Sequence, residues 1–192
     1  MRRNTRLAAF GSALAIAALG ATAQAPAAEA SDRICRGSIG AKTIDNNVRV
    51  PAGATCYLTR TVVKGNVIVK RGARLVANRV RVDGNVQGEN ARNVVVQRSS
   101  RIEGNVQVKQ GGRATVRYSF VDGDIQYDEN RGYLRATFNR VGGNIQVFKN
   151  RGGAVIRKNR VDGNLQCKEN RPRPAGGGNI VQGDKEDQCR RF

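Results

Sequence analysis

Arginine is the residue type best placed to do chemistry in this chain, and histidine is missing altogether. Arg81, Arg101, Arg140 and Arg160 stand three residues before a recurring glycine, and Arg98, Arg117 and Arg157 stand six before it. An arginine fork donates in a planar pattern that fits carboxylate, phosphate or sulfate. Repeated at a fixed interval, such forks suit an anion carried at intervals along a polymer. The 192 residues hold 34 Lys plus Arg against 15 Asp plus Glu, a formal charge of +19 that makes an anionic partner a reasonable expectation. With no His and no Trp, His-based catalysis, His metal sites and Trp-lined sugar platforms are excluded.

The other recurring polar residues have weaker claims. The phrase V-D-G-N-V-Q begins at Val82 and returns, with small changes, at Ile102, Val121, Val141 and Val161. Repeated D-G-N could ligate calcium, but the spacing is wrong for a Gly-Asp nonapeptide repeat, and Lys64, Gly142 and Gln182 interrupt the carboxylates. Asn47, Asn66, Asn85, Asn105, Asp124, Asn144 and Asn164 are therefore expected to form an amide ladder at a turn. Gln87, Gln107, Gln126, Gln146 and Gln166 face outward and either bond rung to rung or offer a flat amide surface to a polysaccharide. No catalytic residue, metal ligand or cofactor is assigned.

These residues must be positioned by a repeat. The glycine slot falls at positions 46 (as Asn), 65, 84, 104, 123, 143, 163 and 183, at intervals of 19 or 20. Such a period in a Val-rich chain with 23 Gly and 5% aromatics means coils stacked as a solenoid. Apolar residues lie two before the slot (Val63, Val82, Ile102), then two and four after it (Val67 and Val69, Val106 and Val108). That alternation has the period of a strand with one face inward. A second strand is marked by Leu75/Ala77, Ala114/Val116, Leu134/Ala136 and Ala154/Ile156. Gln97 breaks this column, which implies a register slip around Gly88 to Asn93. The slot itself calls for a left-handed corner residue, which glycine adopts without steric cost. The expected fold is all-β: a single-stranded parallel β-solenoid, a right-handed β-helix of about seven coils of 19–20 residues, with disulfide-tied ends.

The N-terminus reads as a secretory signal peptide over 1–30, with arginines, then a short apolar run, then cleavage sites after Ala25, Ala27 or Ala30. The solenoid domain is expected over 31–192, with an N-terminal cap at 31–45 and a C-terminal cap at 168–192 that leaves strand pairing. An even cysteine count in an exported chain reads as disulfides. Cys35 with Cys56 and Cys167 with Cys189 are 21 and 22 residues apart, about one coil, whereas mixed pairs would have to span the stack.

The V-x-G-N-V-Q coils, the early P-A-G-A-T-C (Pro51 to Cys56) and the closing G-G-G-N-I-V-Q-G-D-K-E-D-Q-C (Gly176 to Cys189) resemble a group of exported bacterial β-solenoid proteins. That resemblance implies export and a β-helical fold, and brings no activity or substrate. The function expected is a secreted, monomeric, non-enzymatic protein. Its cationic face binds an anionic polymer of the cell envelope or matrix, with no specific nucleic acid and no transmembrane segment in the mature chain. Coils differing by one residue leave no insertion to wall a cleft, which disfavours a polysaccharide lyase or hydrolase. A Pro- and Gly-rich tail disfavours a self-assembling module.

Overall fold

The computed structural model describes residues 31–192; the expected signal peptide lies outside them. The described chain is all-β, without helix, and each coil lays one short strand on each of three parallel sheets. Sheet I holds nine strands, from Arg33–Ile34 and Val48–Val50 through Val86–Glu89 and Ile145–Phe148 to Lys185–Asp187. Sheet II holds eight, among them Thr55–Thr59, Arg74–Asn78, Asn93–Gln97, Arg113–Arg117 and Ala154–Arg157. Sheet III holds eight two-residue strands, including Arg81–Val82, Arg101–Ile102, Phe120–Val121, Arg140–Val141 and Arg160–Val161. The result is a β-solenoid of about eight turns, one more than expected. Both presumed caps contribute strands: Gly37–Ile39 pairs with Thr55–Thr59, and Ala175–Gly177, Ile180–Val181 and Lys185–Asp187 each pair with the coil before.

The core is a stack of identical rungs. Val48, Val67, Val86, Val106, Ile125, Ile145 and Leu165 lie buried one above another, as do Val63, Val82, Ile102, Val121, Val141 and Val161. Each buried Val or Ile withdraws enough apolar surface to contribute about 1.5–3 kcal/mol, and β-branched side chains fit the pleat. Sheet II supplies the opposing wall, where Leu75, Val94, Ala114 and Leu134 form one inward column and Ala77, Val96, Val116 and Ala136 the next. Volume is balanced within a coil. Where sheet I has Gly88 in an inward place, a Cβ there would meet Val94 Cγ2 at 2.9 Å and Ala91 Cβ at 3.2 Å.

Two expectations about the backbone are corrected. The strand Asn93–Gln97 is in perfect register with its neighbours, so there is no slip at Gly88 to Asn93. The extra residue sits after it: Arg98 and Ser99 are both left-handed, whereas the equivalent turns at Arg79, Tyr118 and Phe138 hold one such residue. The anchor glycines are not left-handed either. Glycine is required there because the coils touch: a Cβ on Gly104 would lie 2.5 Å from Asn85 Oδ1 and 2.9 Å from the Gly84 carbonyl oxygen. The left-handed positions fall at the other two corners and are mostly filled by bulky residues, among them Arg60, Arg79, Gln110, Tyr118, Phe138 and Lys149, with φ from 49° to 57°.

Three polar ladders hold the corners. The anchor ladder runs as expected: Asn66 donates its backbone N–H to Asn47 Oδ1 at 2.8 Å, and the pattern continues through Asn105, Asp124 and Asn144 to Asp184. The second, between sheets I and II, comprises Asn130, Asn150 and Asn170, and the third, between sheets II and III, comprises Asn139, Asn159 and Asn179. All six are buried, and each Nδ2 donates to a backbone carbonyl of the core strands, Asn150 to Tyr127 and Asn139 to Val116. Earlier coils use small or apolar residues at these corners instead: Ala73, Ala91 and Gly111 at one, Thr61, Val80, Ser100 and Ser119 at the other.

Candidate polyanion-binding site

Sheet III carries the first arginine column on its outer face. Arg81 is in register with Arg101, Arg101 with Phe120, Phe120 with Arg140, and Arg140 with Arg160. The side chains alternate with the buried valines, so all four arginines are exposed. Neighbouring rungs are roughly 4.8 Å apart, close enough for like charges to repel.

The structure resolves that repulsion in one half of the column only. An acidic column, Asp83, Glu103 and Asp122, runs beside the arginines, and each arginine reaches the acid of the following coil. Arg81 lies 2.5 Å from Glu103 and 3.1 Å from Asp83, and Arg101 lies 2.6 Å from Asp122. The hydrogen bond from Arg81, with help from Lys64, holds the Asp83 carboxyl below the usual carboxylate range, and the Arg81 guanidinium is correspondingly raised. Further along the stack the pairing lapses, although one carboxylate, Asp162, stands one coil on from Arg140 and two residues after Arg160. The acidic column reads Gly142, Asp162 and Gln182, and Gln182 Nε2 donates to Asp162 at 3.1 Å. Among the described residues, Arg140 and Arg160 make no ion pair.

The second proposed arginine column does not exist as one. Arg117 and Arg157 share a column on sheet II, with Thr137 between them, but Gln97 and not Arg98 occupies the next place. Arg117 Nε donates to Gln97 Oε1 at 2.7 Å, which ties it down. Arg98 sits one residue later, in the widened left-handed turn. The extra residue follows the strand and does not precede it, so six residues before Gly104 the chain is already in the turn. The glutamines form an interrupted ladder, with Gln107 bonded to Gln126 at 2.9 Å and Gln146 to Gln166 at 3.0 Å.

Beside the free arginines lies a groove of about 550 Å³ along the corner between sheets II and III. Its floor is the third ladder (Ser119, Asn139, Asn159), one wall is formed by Tyr118, Phe138 and Lys158, and the other by Phe120, Arg140, Arg160 and Ile180. Tyr118 and Phe138 stack with centroids 4.8 Å apart and planes 11° apart, and Lys158 Nζ lies 5.4 Å from the Phe138 centroid. Left-handed backbone at Tyr118, Phe138 and Lys158 turns these side chains outward while the next residue turns in.

A larger cleft, about 700 Å³, runs along the corner between sheets I and II. Arg131, Arg151 and Arg171 line it at intervals of 20, a third arginine column missed in the sequence although E-N-R, K-N-R and E-N-R repeat at that period. Glu129 and Glu169 alternate with them, so this cleft carries both signs and is less suited to a polyanion.

Both disulfides form with the expected pairing, Cys35–Cys56 and Cys167–Cys189, with Cα atoms 5.6 and 5.3 Å apart and all four cysteines buried. Disulfides of this kind belong to an oxidising, extracytoplasmic environment. Among the described residues no helix is long and apolar enough to cross a membrane. Comparison with protein-family models, with curated proteins and with solved structures returns no match to this chain.

Proposed function

We propose that this is an exported, non-enzymatic binding protein whose solenoid holds an anionic polymer along the later coils of sheet III. The observation that carries this reading is the contrast within one column, where Arg81 and Arg101 are neutralised by acids of the next coil and Arg140 and Arg160 are not. Stability alone favours the paired arrangement. Two unpaired guanidinium groups one rung apart, with Lys158 and Arg157 at the same corner, are an arrangement that an anion improves. The disulfides, the net charge and the signal-like N-terminus support export to a compartment rich in such polymers. Binding without catalysis is supported by the connections between strands, of which the longest, 169–174, has six residues and builds no wall over the groove.

The reading is tested by retention of the oxidised protein on immobilised polygalacturonate and linear polyphosphate over a range of salt. Retention at low salt, lost as salt rises and lost with Arg140→Ala/Arg160→Ala, is the expected result. No retention on either polymer at low salt overturns it.

A further inference from the structure

We infer that the polymer in this groove is an acidic polysaccharide, a chain that alternates flat carbon–hydrogen ring faces with negative charge; the inference rests on the polyanion reading above. Charge alone does not require the four large apolar side chains that the groove leaves in water. Tyr118 is 52% exposed, Phe120 45%, Phe138 42% and Ile180 62%, all within the same corner as Arg140, Arg160 and Lys158. Neither position type demands an aromatic. The left-handed turns take Arg60, Arg79 and Lys158 elsewhere in the same column, and the sheet III place of Phe120 is arginine in the coils on either side. Exposed rings and cationic side chains lining one groove ask for a ligand that carries both apolar faces and negative charge.

A sugar acid satisfies both walls. Its ring face packs on Tyr118 and Phe138 while its carboxylate meets the forks of Arg140 and Arg160 on the other wall. The groove runs parallel to the solenoid axis, so successive rings of one chain meet successive coils. A single-stranded nucleic acid fits less well. Bases bind by stacking on open aromatic faces, and here Tyr118 and Phe138 stack on each other at 4.8 Å, too close to admit a base between them. Both rings still leave about half of their surface to water, which a sugar ring can cover. A fatty chain fits less well again, because it would leave Arg140, Arg160 and Lys158 at the rim without a counter-charge.

Affinities of the oxidised protein for polygalacturonate, linear polyphosphate and single-stranded DNA, compared at one low salt concentration, test this. The variants are Tyr118→Asn/Phe120→Thr/Phe138→Asn, chosen because Asn tolerates the left-handed turn and Thr suits a strand, and Arg140→Ala/Arg160→Ala; circular dichroism checks that both keep the β fold. Polygalacturonate is expected to bind about tenfold more tightly than polyphosphate, and the aromatic variant to lose about that factor for polygalacturonate alone. The arginine variant is expected to weaken both. Equal affinity for the two polymers, or an aromatic variant that weakens both equally, overturns the carbohydrate assignment and leaves the polyanion reading intact. DNA binding tightest of the three and losing most in the aromatic variant overturns it in favour of nucleic acid. Binding to none of the three removes the polyanion reading itself.

Discussion

The earlier coils, through Ser119, and the later coils, from Phe120 onward, share a backbone and differ in how they use polar residues. In the earlier coils the two outer corners are packed with Ala73, Ala91, Thr61, Val80 and Ser100, and the sheet III arginines Arg81 and Arg101 are tied to acids one coil on. In the later coils the same corners carry two buried asparagine ladders, and the surface arginines stand free beside exposed aromatics. The two differences belong together. Unpaired like charges and exposed rings do not stabilise a fold, and a fully satisfied amide ladder directly beneath them does, because each buried amide replaces turn hydrogen bonds that the backbone would otherwise lack. Arg81 and Arg101 are satisfied within the fold, and Arg140 and Arg160 are not.

The largest expected effect comes from breaking a ladder. Asn139→Ala strands the Ser119 N–H and the Val116 carbonyl, while Asn159 Oδ1 keeps the backbone N–H of residue 139, and is expected to cost about 3–5 kcal/mol in denaturant unfolding, since each unmet buried group costs about 1–3. Ser100→Ala, the same corner in the earlier half, loses the bonds to Val80 and Gln97 and is expected to cost about 1–2 kcal/mol. Equal losses would erase the distinction. The anchor column should ignore it: Gly104→Ala and Gly163→Ala each force a Cβ against the preceding coil and are expected to lower stability alike, by about 2–3 kcal/mol.

The left-handed turns should respond with the opposite sign. Arg79→Gly and Lys149→Gly relieve a bulky residue at φ near 52°, and each is expected to raise the unfolding free energy by up to about 1 kcal/mol in either half. The smallest effect is on acid stability. Asp32, held low by Asn47 and Arg49, and Asp83, held low chiefly by Arg81, both lie in the earlier half. Carboxyls depressed in the folded state stabilise it above their unfolded pKa of about 3.9 and lose that contribution as pH falls through their lower folded values. Carboxyl NMR titration should find Asp83 protonating at lower pH than in Arg81→Ala, whereas an unchanged midpoint would mean that the pair is not formed in solution.

What could be read from the sequence was whatever repeats at one period. The inward valines, the Asn47-to-Asn164 ladder and both disulfides follow once Gly65, Gly84 and Gly104 are aligned, because a solenoid places equal sequence intervals side by side. What needed coordinates was direction and register. The glycine slot is a corner but not a left-handed one, and only the stacked coils reveal that glycine is needed there for contact with the asparagine of the coil before. The 20-residue interval from Gly84 to Gly104 does not say on which side of the strand the extra residue lies, and its place at Arg98–Ser99 takes Arg98 out of the column of Arg117 and Arg157. The ladders at Asn130, Asn150 and Asn170 and at Asn139, Asn159 and Asn179 repeat every 20 residues, but a polar residue in a turn signals solvent unless burial is known. Pairing of Arg81 with Glu103 spans 22 residues, one coil and two positions, an interval that the period alone does not single out.

The claim that free arginines in the later coils make the binding surface is tested most directly by two matched double variants, Arg140→Ala/Arg160→Ala and Arg81→Ala/Arg101→Ala, titrated with polygalacturonate at low salt. Both remove two positive charges from one column. The account predicts a loss of tenfold or more, about 1.4 kcal/mol, for the first and roughly threefold or less for the second, whose arginines are already held by acids. Equal losses in the two would mean that only net charge matters, and would contradict it.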